Sequence, residues 1–165
     1  MVAEGREFTA DNLSAMHPPK FLFFDLGMVL LRFDVSRMCR QIADVAGIAP
    51  ELVHQVLIER PLQKDYECGR VTSREFHNAF CRETGTCPAF ESLLLAGSDI
   101  FDLNADMVPV IAHLHRAGYR LGILSNTCES HWEFCLRRFR MLGELFHVYA
   151  LSYKIGAAKP ESPIF

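Results

Sequence analysis

The stretch Lys20-Phe21-Leu22-Phe23-Phe24-Asp25-Leu26-Gly27-Met28-Val29-Leu30-Leu31-Arg32-Phe33-Asp34 decides how the rest of the chain is read. Its first half is a continuous aromatic and aliphatic run without alternation, the pattern of a parallel strand buried on both faces. It predicts a central strand over residues 20–25, ending at an aspartate. On its amino side lies a polar leader, residues 1–19, closing in Met16-His17-Pro18-Pro19. Two prolines in a row favour an extended arm and keep a helix from running into the strand.

On its carboxyl side, from Val35 to about Leu95, the spacing turns helical. Met38, Ile42, Val45 and Ala46 fall on one face of a helix that Gly47 would close. Pro50 suits the first helical position, with Leu52, Val53, Val56 and Leu57 as the stripe behind it. Thr72-Ser73-Arg74-Glu75 has capping-box spacing ahead of Phe76 and Phe80. No strand pattern separates these helices, so the block reads as a helical insertion and not as a βα repeat.

Beyond it, Met107, Val110, Ile111 and Leu114 predict an amphipathic helix stopped by Gly118. Tyr119–Leu124 predicts a second buried strand ending on Ser125-Asn126-Thr127. A helix carrying Trp132, Cys135, Leu136 and Phe139 comes next, then a third strand over residues 147–152. Gly156-Ala157-Ala158-Lys159-Pro160 makes a turn, and Ser162 with Pro163 would start a helix as N-cap and first residue. Strand, helices, strand, helix, strand is an α/β order, which implies a parallel sheet with right-handed crossovers. Ligands of such sheets sit at the carboxyl ends of the strands. Asp25, Ser125-Asn126 and Lys159 mark those ends: a carboxylate, a hydroxyl and amide pair, and an ammonium. An anionic substrate and a carboxylate nucleophile need that set.

Phe23-Phe24-Asp25-Leu26-Gly27-Met28-Val29-Leu30 resembles the first motif of the haloacid dehalogenase-like (HAD-like) hydrolase superfamily. Ile123-Leu124-Ser125-Asn126 resembles its second motif, and Gly156-x-x-Lys159-Pro160-Glu161 its third. The similarity spans residues 20–165, with the three motifs in register and a helical insertion after the first, as in members with a small helical cap. The Asp-Leu-Gly-x-Val wording is similar to the sugar-phosphate phosphatases related to glucose-1-phosphatase and to the N-terminal domain of soluble epoxide hydrolases.

The resemblance implies a Rossmann-like parallel sheet with three core strands present. The core would comprise residues 20–34 and 96–165, and the cap residues 35–95. It implies a Mg²⁺-dependent phosphatase acting on a small phosphorylated metabolite. Asp25 would attack phosphorus and form an aspartyl-phosphate. Asp25 and the main-chain carbonyl of Gly27 would hold the metal. Ser125 and Asn126 would bind the phosphate, and Lys159 would hold both nucleophile and transferring group by its charge. Tyr66-Glu67-Cys68-Gly69, in the cap, is a candidate specificity segment.

Two departures shape these expectations. Many phosphatases of the superfamily carry a second aspartate, a general acid, two residues after the nucleophile, where this chain has Gly27. General-acid help gives roughly 10²–10⁴-fold, so slow turnover or a good leaving group is expected. The acidic pair of the fourth motif is also absent from the sequence. The expectation is a piece of a longer hydrolase, a weak or inactive phosphatase with an apolar edge left open on strand one. A 2-haloacid dehalogenase, which needs neither the second acid nor a metal, and a non-catalytic fragment or interaction module are the alternatives.

Composition narrows the rest. Of 165 residues, 50% are apolar and 22% charged, which is globular and not disordered. Seventeen Lys+Arg against 20 Asp+Glu leave a net charge of −3, with no basic stripe for nucleic acid. The longest apolar run is broken by Asp25 and too short to cross a bilayer, and no signal peptide is apparent, which predicts a cytoplasmic protein. The six cysteines, at 39, 68, 81, 87, 128 and 135, include no C-x2-C pair and fit no zinc spacing. Each is read as a reduced, small buried hydrophobe. His113 and His115, two apart on a helix, cannot share a face for a metal, and Trp132 is expected in the core.

Overall fold

The computed structural model describes Pro19 and residues 21–165; the leader, Pro19 apart, lies outside the described residues. Three parallel strands carry the site: β1 (Phe21–Phe24), β4 (Arg120–Ser125) and β5 (Val148–Leu151), in the order β1-β4-β5. The register pairs Phe21 with Arg120 and Phe24 with Ile123, then Gly122 with Val148 and Ser125 with Leu151. The α/β class and the parallel pairing agree with the sequence reading.

Among the described residues the first strand takes the open apolar edge expected for it in this chain, and not the central place that its unbroken apolar run suggests. The central strand is β4, whose Leu121 and Ile123 are fully buried, whereas β1 is an edge strand among the described residues. Its two faces differ. Leu22 and Phe24 pack on the core, with Phe24 edge-on to Phe146 at 6.1 Å. Phe21 and Phe23 lie on the other face, their ring centroids 4.8 Å apart, and Phe23 is 52% exposed. Gly122 makes room for both: a Cβ there would meet their ring carbons at 2.6 and 2.7 Å. Phenylalanine on an edge strand looks in sequence like phenylalanine in the middle of a sheet, so the run by itself does not tell the two places apart.

A second, unforeseen sheet pairs β2 (Leu31–Phe33) with β3 (Phe101–Leu103) antiparallel. Arg32 stands opposite Asp102, and the Phe33 and Phe101 rings lie 5.9 Å apart. Three-residue strands are below the length at which alternation can be read. Asn104 locks this ribbon to the loop after Asp25: its Nδ2 donates to the Val29 carbonyl at 2.8 Å and its main-chain N–H to Leu30 at 3.0 Å.

Between the two sheets' strands the chain is helical, with no strand in residues 35–95. Helix α1 (Val35–Ala46) starts where the Asp34 carboxylate accepts from the Arg37 N–H, and Gly47 closes it in the left-handed region at φ 66°. Its buried face is Met38, Cys39, Ile42 and Ala43; Val45, assigned to that face, is exposed. Helix α2 (Pro50–His54) begins on Pro50 and widens into a π-helical turn, Gln55–Glu59, that ends before Pro61. Helix α3 (Leu62–Glu67) comes next. Helix α4 (Ser73–Thr84) carries the full capping box between Thr72 and Glu75, a motif worth about 1 kcal/mol. Helix α5 (Phe90–Ser98) completes the block.

Helices α6 (Met107–Arg116), α7 (Glu129–Arg138) and α8 (Met141–Glu144) supply the connections of the parallel sheet, and α9 (Ser152–Ile155) continues directly from β5. Trp132 and Cys135 are buried on α7. The last turn, Ser162–Ile164, is 3₁₀ with Glu161 and not Ser162 at its cap. Among the described residues no helix is long and apolar enough to cross a membrane.

Candidate active site

Parallel strands deliver the residues at their carboxyl ends to one edge of the sheet. Asp25 comes directly after β1, Ser125 ends β4 with Asn126 next, and Lys159 lies beyond β5, α9 and a left-handed turn at Gly156 (φ 79°). The fold closes the distance between them. Nζ of Lys159 lies 2.6 Å from Oδ2 of Asp25 and donates to the Leu124 carbonyl at 3.1 Å. Asn126 fixes the Lys159 backbone from both sides: its Oδ1 accepts from the Lys159 N–H at 2.7 Å and its Nδ2 donates to the Lys159 carbonyl at 3.2 Å. The two charged side chains, Asp25 and Lys159, remain 40% and 24% exposed. A pair this wet adds at most about 1 kcal/mol to stability. Its consequence is chemical, since it holds a carboxylate and an ammonium within reach of one solute.

Ser125 is the most buried of the four, and its hydroxyl donates to the Asn126 carbonyl at 3.3 Å. Gly27 lies in the turn just past Asp25. The hydrogen bonds of that turn run to the oxygens of Leu26, Val29, Leu30 and Leu31, and among the described residues none takes the Gly27 oxygen. Met28, next to it, has a positive φ of 59°, a conformation uncommon outside glycine. A Cβ on residue 27 would come within 3.0 Å of Cε1 of Phe33. The Phe33 ring thus stands where a side chain of residue 27 would begin.

Beside the pair, a cavity of about 60 Å³ is walled by Gly27 and Phe33, by Ser125, Asn126 and Thr127, and by Glu67 and His131; Asp25 and Lys159 are not on its wall. Clefts of about 200–340 Å³ occur elsewhere, but none gathers the strand-end residues. Glu67, from the candidate specificity segment, and His131, to which the sequence reading gives no role, join this edge. His131 is held by the Gly97 carbonyl, 3.0 Å from its Nε2, and burial pushes its pKa below 6.5 against the opposing pull of Glu67. Of the segment Tyr66–Gly69, only Glu67 reaches the cavity. Tyr66 is buried, stacked on Phe76 at 4.7 Å, with its hydroxyl 2.7 Å from Ser73 and accepting from the Ser130 N–H.

Ser152, also unforeseen, ties the helical block to the sheet. Its hydroxyl lies 2.6 Å from the Glu67 carbonyl and accepts from the Thr127 N–H at 2.9 Å. Gly69 packs so closely on Tyr153 that a Cβ would meet its carbonyl oxygen at 2.2 Å.

Solved structures share this arrangement of elements. A HAD family enzyme of Bacteroides thetaiotaomicron superposes with a TM-score of 0.74 over 88% of this chain and 74% of that one, at 23% identity. The chain has the haloacid dehalogenase-like fold. For this HAD-like chain a predicted HAD-like family hydrolase of Porphyromonas gingivalis matches at 26% identity and TM-score 0.71, over 88% of the chain and 72% of the neighbour. L-2-haloacid dehalogenase of Xanthobacter autotrophicus matches at 17% and 0.57, over 88% and 61%. The Bacteroides enzyme has also been solved in complex with magnesium and inorganic phosphate. No family model matches the HAD-like chain.

Proposed function

We propose that this HAD-like chain is a Mg²⁺-dependent phosphoric monoester hydrolase that works through an aspartyl-phosphate on Asp25. The observation that carries the reading is the ammonium of Lys159, 2.6 Å from the Asp25 carboxylate at the carboxyl ends of the parallel strands. Asp25 attacks phosphorus, the ester P–O bond breaks, and the leaving oxygen takes a proton from solvent, since residue 27 has no side chain to give one. Water then attacks phosphorus, releasing phosphate and restoring the carboxylate. Lys159 offsets the negative charge that nucleophile and phosphoryl group bring together. Asn126 keeps Lys159 in place, and the Ser125 hydroxyl turns from the Asn126 carbonyl to a phosphate oxygen.

A hard cation suits the donor set. The Asp25 carboxylate and the Gly27 carbonyl, which takes no hydrogen bond among the described residues, are oxygen ligands, and Mg²⁺ commonly takes one or two carboxylates with water and substrate phosphate. Bound there, it supplies charge neutralisation between carboxylate and phosphate. The magnesium and phosphate complex of the Bacteroides neighbour supports the choice. Residues 35–95 serve as the cap, with Glu67 presented to the substrate. The class of substrate is a sugar phosphate, in keeping with the motif wording around Asp25, and the proposed setting is the cytoplasm.

Gly27 also favours a second reading, 2-haloacid dehalogenation, because halide leaves without protonation. One experiment separates the two: p-nitrophenyl phosphate hydrolysis with and without Mg²⁺, beside chloride release from 2-chloropropionate, for the chain and for Asp25→Asn. Mg²⁺-dependent phosphate release that vanishes in D25N is the expected result. Chloride release alone would make the chain a dehalogenase, and neither product would make it a non-catalytic module.

A further inference from the structure

Away from the strand ends, helix α4 places His77 and Cys81 four residues apart, on one face. The helix stops at Gly85 in the left-handed region, φ 71°, and the Thr84 hydroxyl donates to the Phe80 carbonyl at 2.8 Å. The reversal returns Cys87 over the same face, its Sγ 2.8 Å from that of Cys81. Sγ of Cys81 is 3.7 Å from Nε2 and 3.9 Å from Nδ1 of His77. One donor atom from each of the three residues lies within 4.8 Å of the others.

One nitrogen of the imidazole is engaged and the other is left for a ligand. His77 is buried, and its Nε2 lies 2.8 Å from the Pro88 carbonyl. With the proton on Nε2 donated to that oxygen, Nδ1 keeps its lone pair, the outer-shell arrangement that steers metal-binding histidines. Two sulfurs and a neutral imidazole are the donors of a borderline-soft cation, and they leave a fourth tetrahedral position to water. Zn–S bonds of about 2.3 Å set two sulfurs roughly 3.8 Å apart. The pair must therefore open slightly, which Cys87 can do because it sits exposed on the loop.

We propose that His77, Cys81 and Cys87 form a site for Zn²⁺ or a similar thiophilic divalent cation, separate from the oxygen-ligand centre at Asp25. The spacing is H-x3-C-x5-C, which the turn at Gly85 converts into a cluster. Four of the six cysteines, 39, 68, 128 and 135, are buried as expected; Cys81 and Cys87 are not.

The test uses the full chain, reduced and stripped of metal, titrated with Co²⁺ as a spectroscopic probe and with Zn²⁺ against a chromophoric chelator. The expected result is one equivalent bound, with a thiolate-to-cobalt charge-transfer band that Zn²⁺ bleaches and Mg²⁺ does not. Cys87→Ser, on an exposed loop, should weaken binding by more than about 100-fold, the upper end of what outer-shell losses cost. Asp25→Asn should leave the band unchanged. Absence of the band, its survival in C87S, or recovery of Cys81 and Cys87 as a disulfide that resists reduction in the folded chain would overturn the proposal.

Discussion

Nζ of Lys159 lies 2.6 Å from Oδ2 of Asp25, an ion pair of opposite charges at the carboxyl ends of the parallel strands. Because both side chains stay partly in water, removing the pair should cost the fold little, and on the proposed mechanism it should cost catalysis much. Lys159→Met should lower kcat for p-nitrophenyl phosphate by about 10²–10³-fold, the loss seen when one charge-stabilising donor is deleted. Urea unfolding should move by no more than about 1 kcal/mol. A drop in stability that accounts for the lost activity would assign Lys159 a structural role instead.

Residue 27 tests the leaving-group side. A Cβ there crowds Phe33 at 3.0 Å, but Phe33 is 38% exposed on an edge strand and can swing away. Gly27→Asp should therefore fold, at a cost of about 1–3 kcal/mol for the displaced ring. It should raise hydrolysis of an alkyl phosphate relative to p-nitrophenyl phosphate by part of the roughly 10²–10⁴-fold that a positioned acid gives. Equal changes for the two substrates would place residue 27 away from the leaving oxygen.

Two contacts clamp the helical block to the sheet, and each can be cut alone. Ser152→Ala leaves the Thr127 N–H and the Glu67 carbonyl without their shared hydroxyl, which should destabilise the chain by about 1–3 kcal/mol. Gly69→Ala sets a Cβ against the Tyr153 oxygen on a backbone at φ 67°, so it should cost at least as much. Thermal melts measure both losses, and hydrogen exchange at Glu67–Gly69 should rise in each variant.

Stability should fall in mild acid because of His131. Burial holds its pKa below 6.5 in the folded chain, while the unfolded chain takes up a proton near 6.5. The stabilisation is thus fully present above pH 6.5 and is lost as pH falls through the folded value, where the unfolded state binds more protons. His131→Asn keeps a donor for the Gly97 carbonyl and removes the titration. Urea midpoints measured across this range should slope less in the variant than in the parent chain.

Much of this molecule is decided locally, and that part is legible in its sequence. The Thr72–Glu75 capping box, Pro50 at a helix start and Gly47 at a helix end depend on neighbours within four residues. So does the buried run of β4, and with it the parallel order that sends Asp25, Asn126 and Lys159 to one edge. Relations between distant segments were decided by the tertiary structure alone. Which strand is central depends on what packs over Phe21 and Phe23, and Gly122 gives no sign of the rings above it until the sheet forms. The β2–β3 ribbon is too short to show a period. Glu67 and His131 become cavity walls only when the helical block docks through Ser152, and Cys87 meets Cys81 only after the chain reverses at Gly85. Side-chain pattern specifies an element because its hydrogen bonds are local; partners across elements are set by packing, in which each residue's neighbours lie far away along the chain.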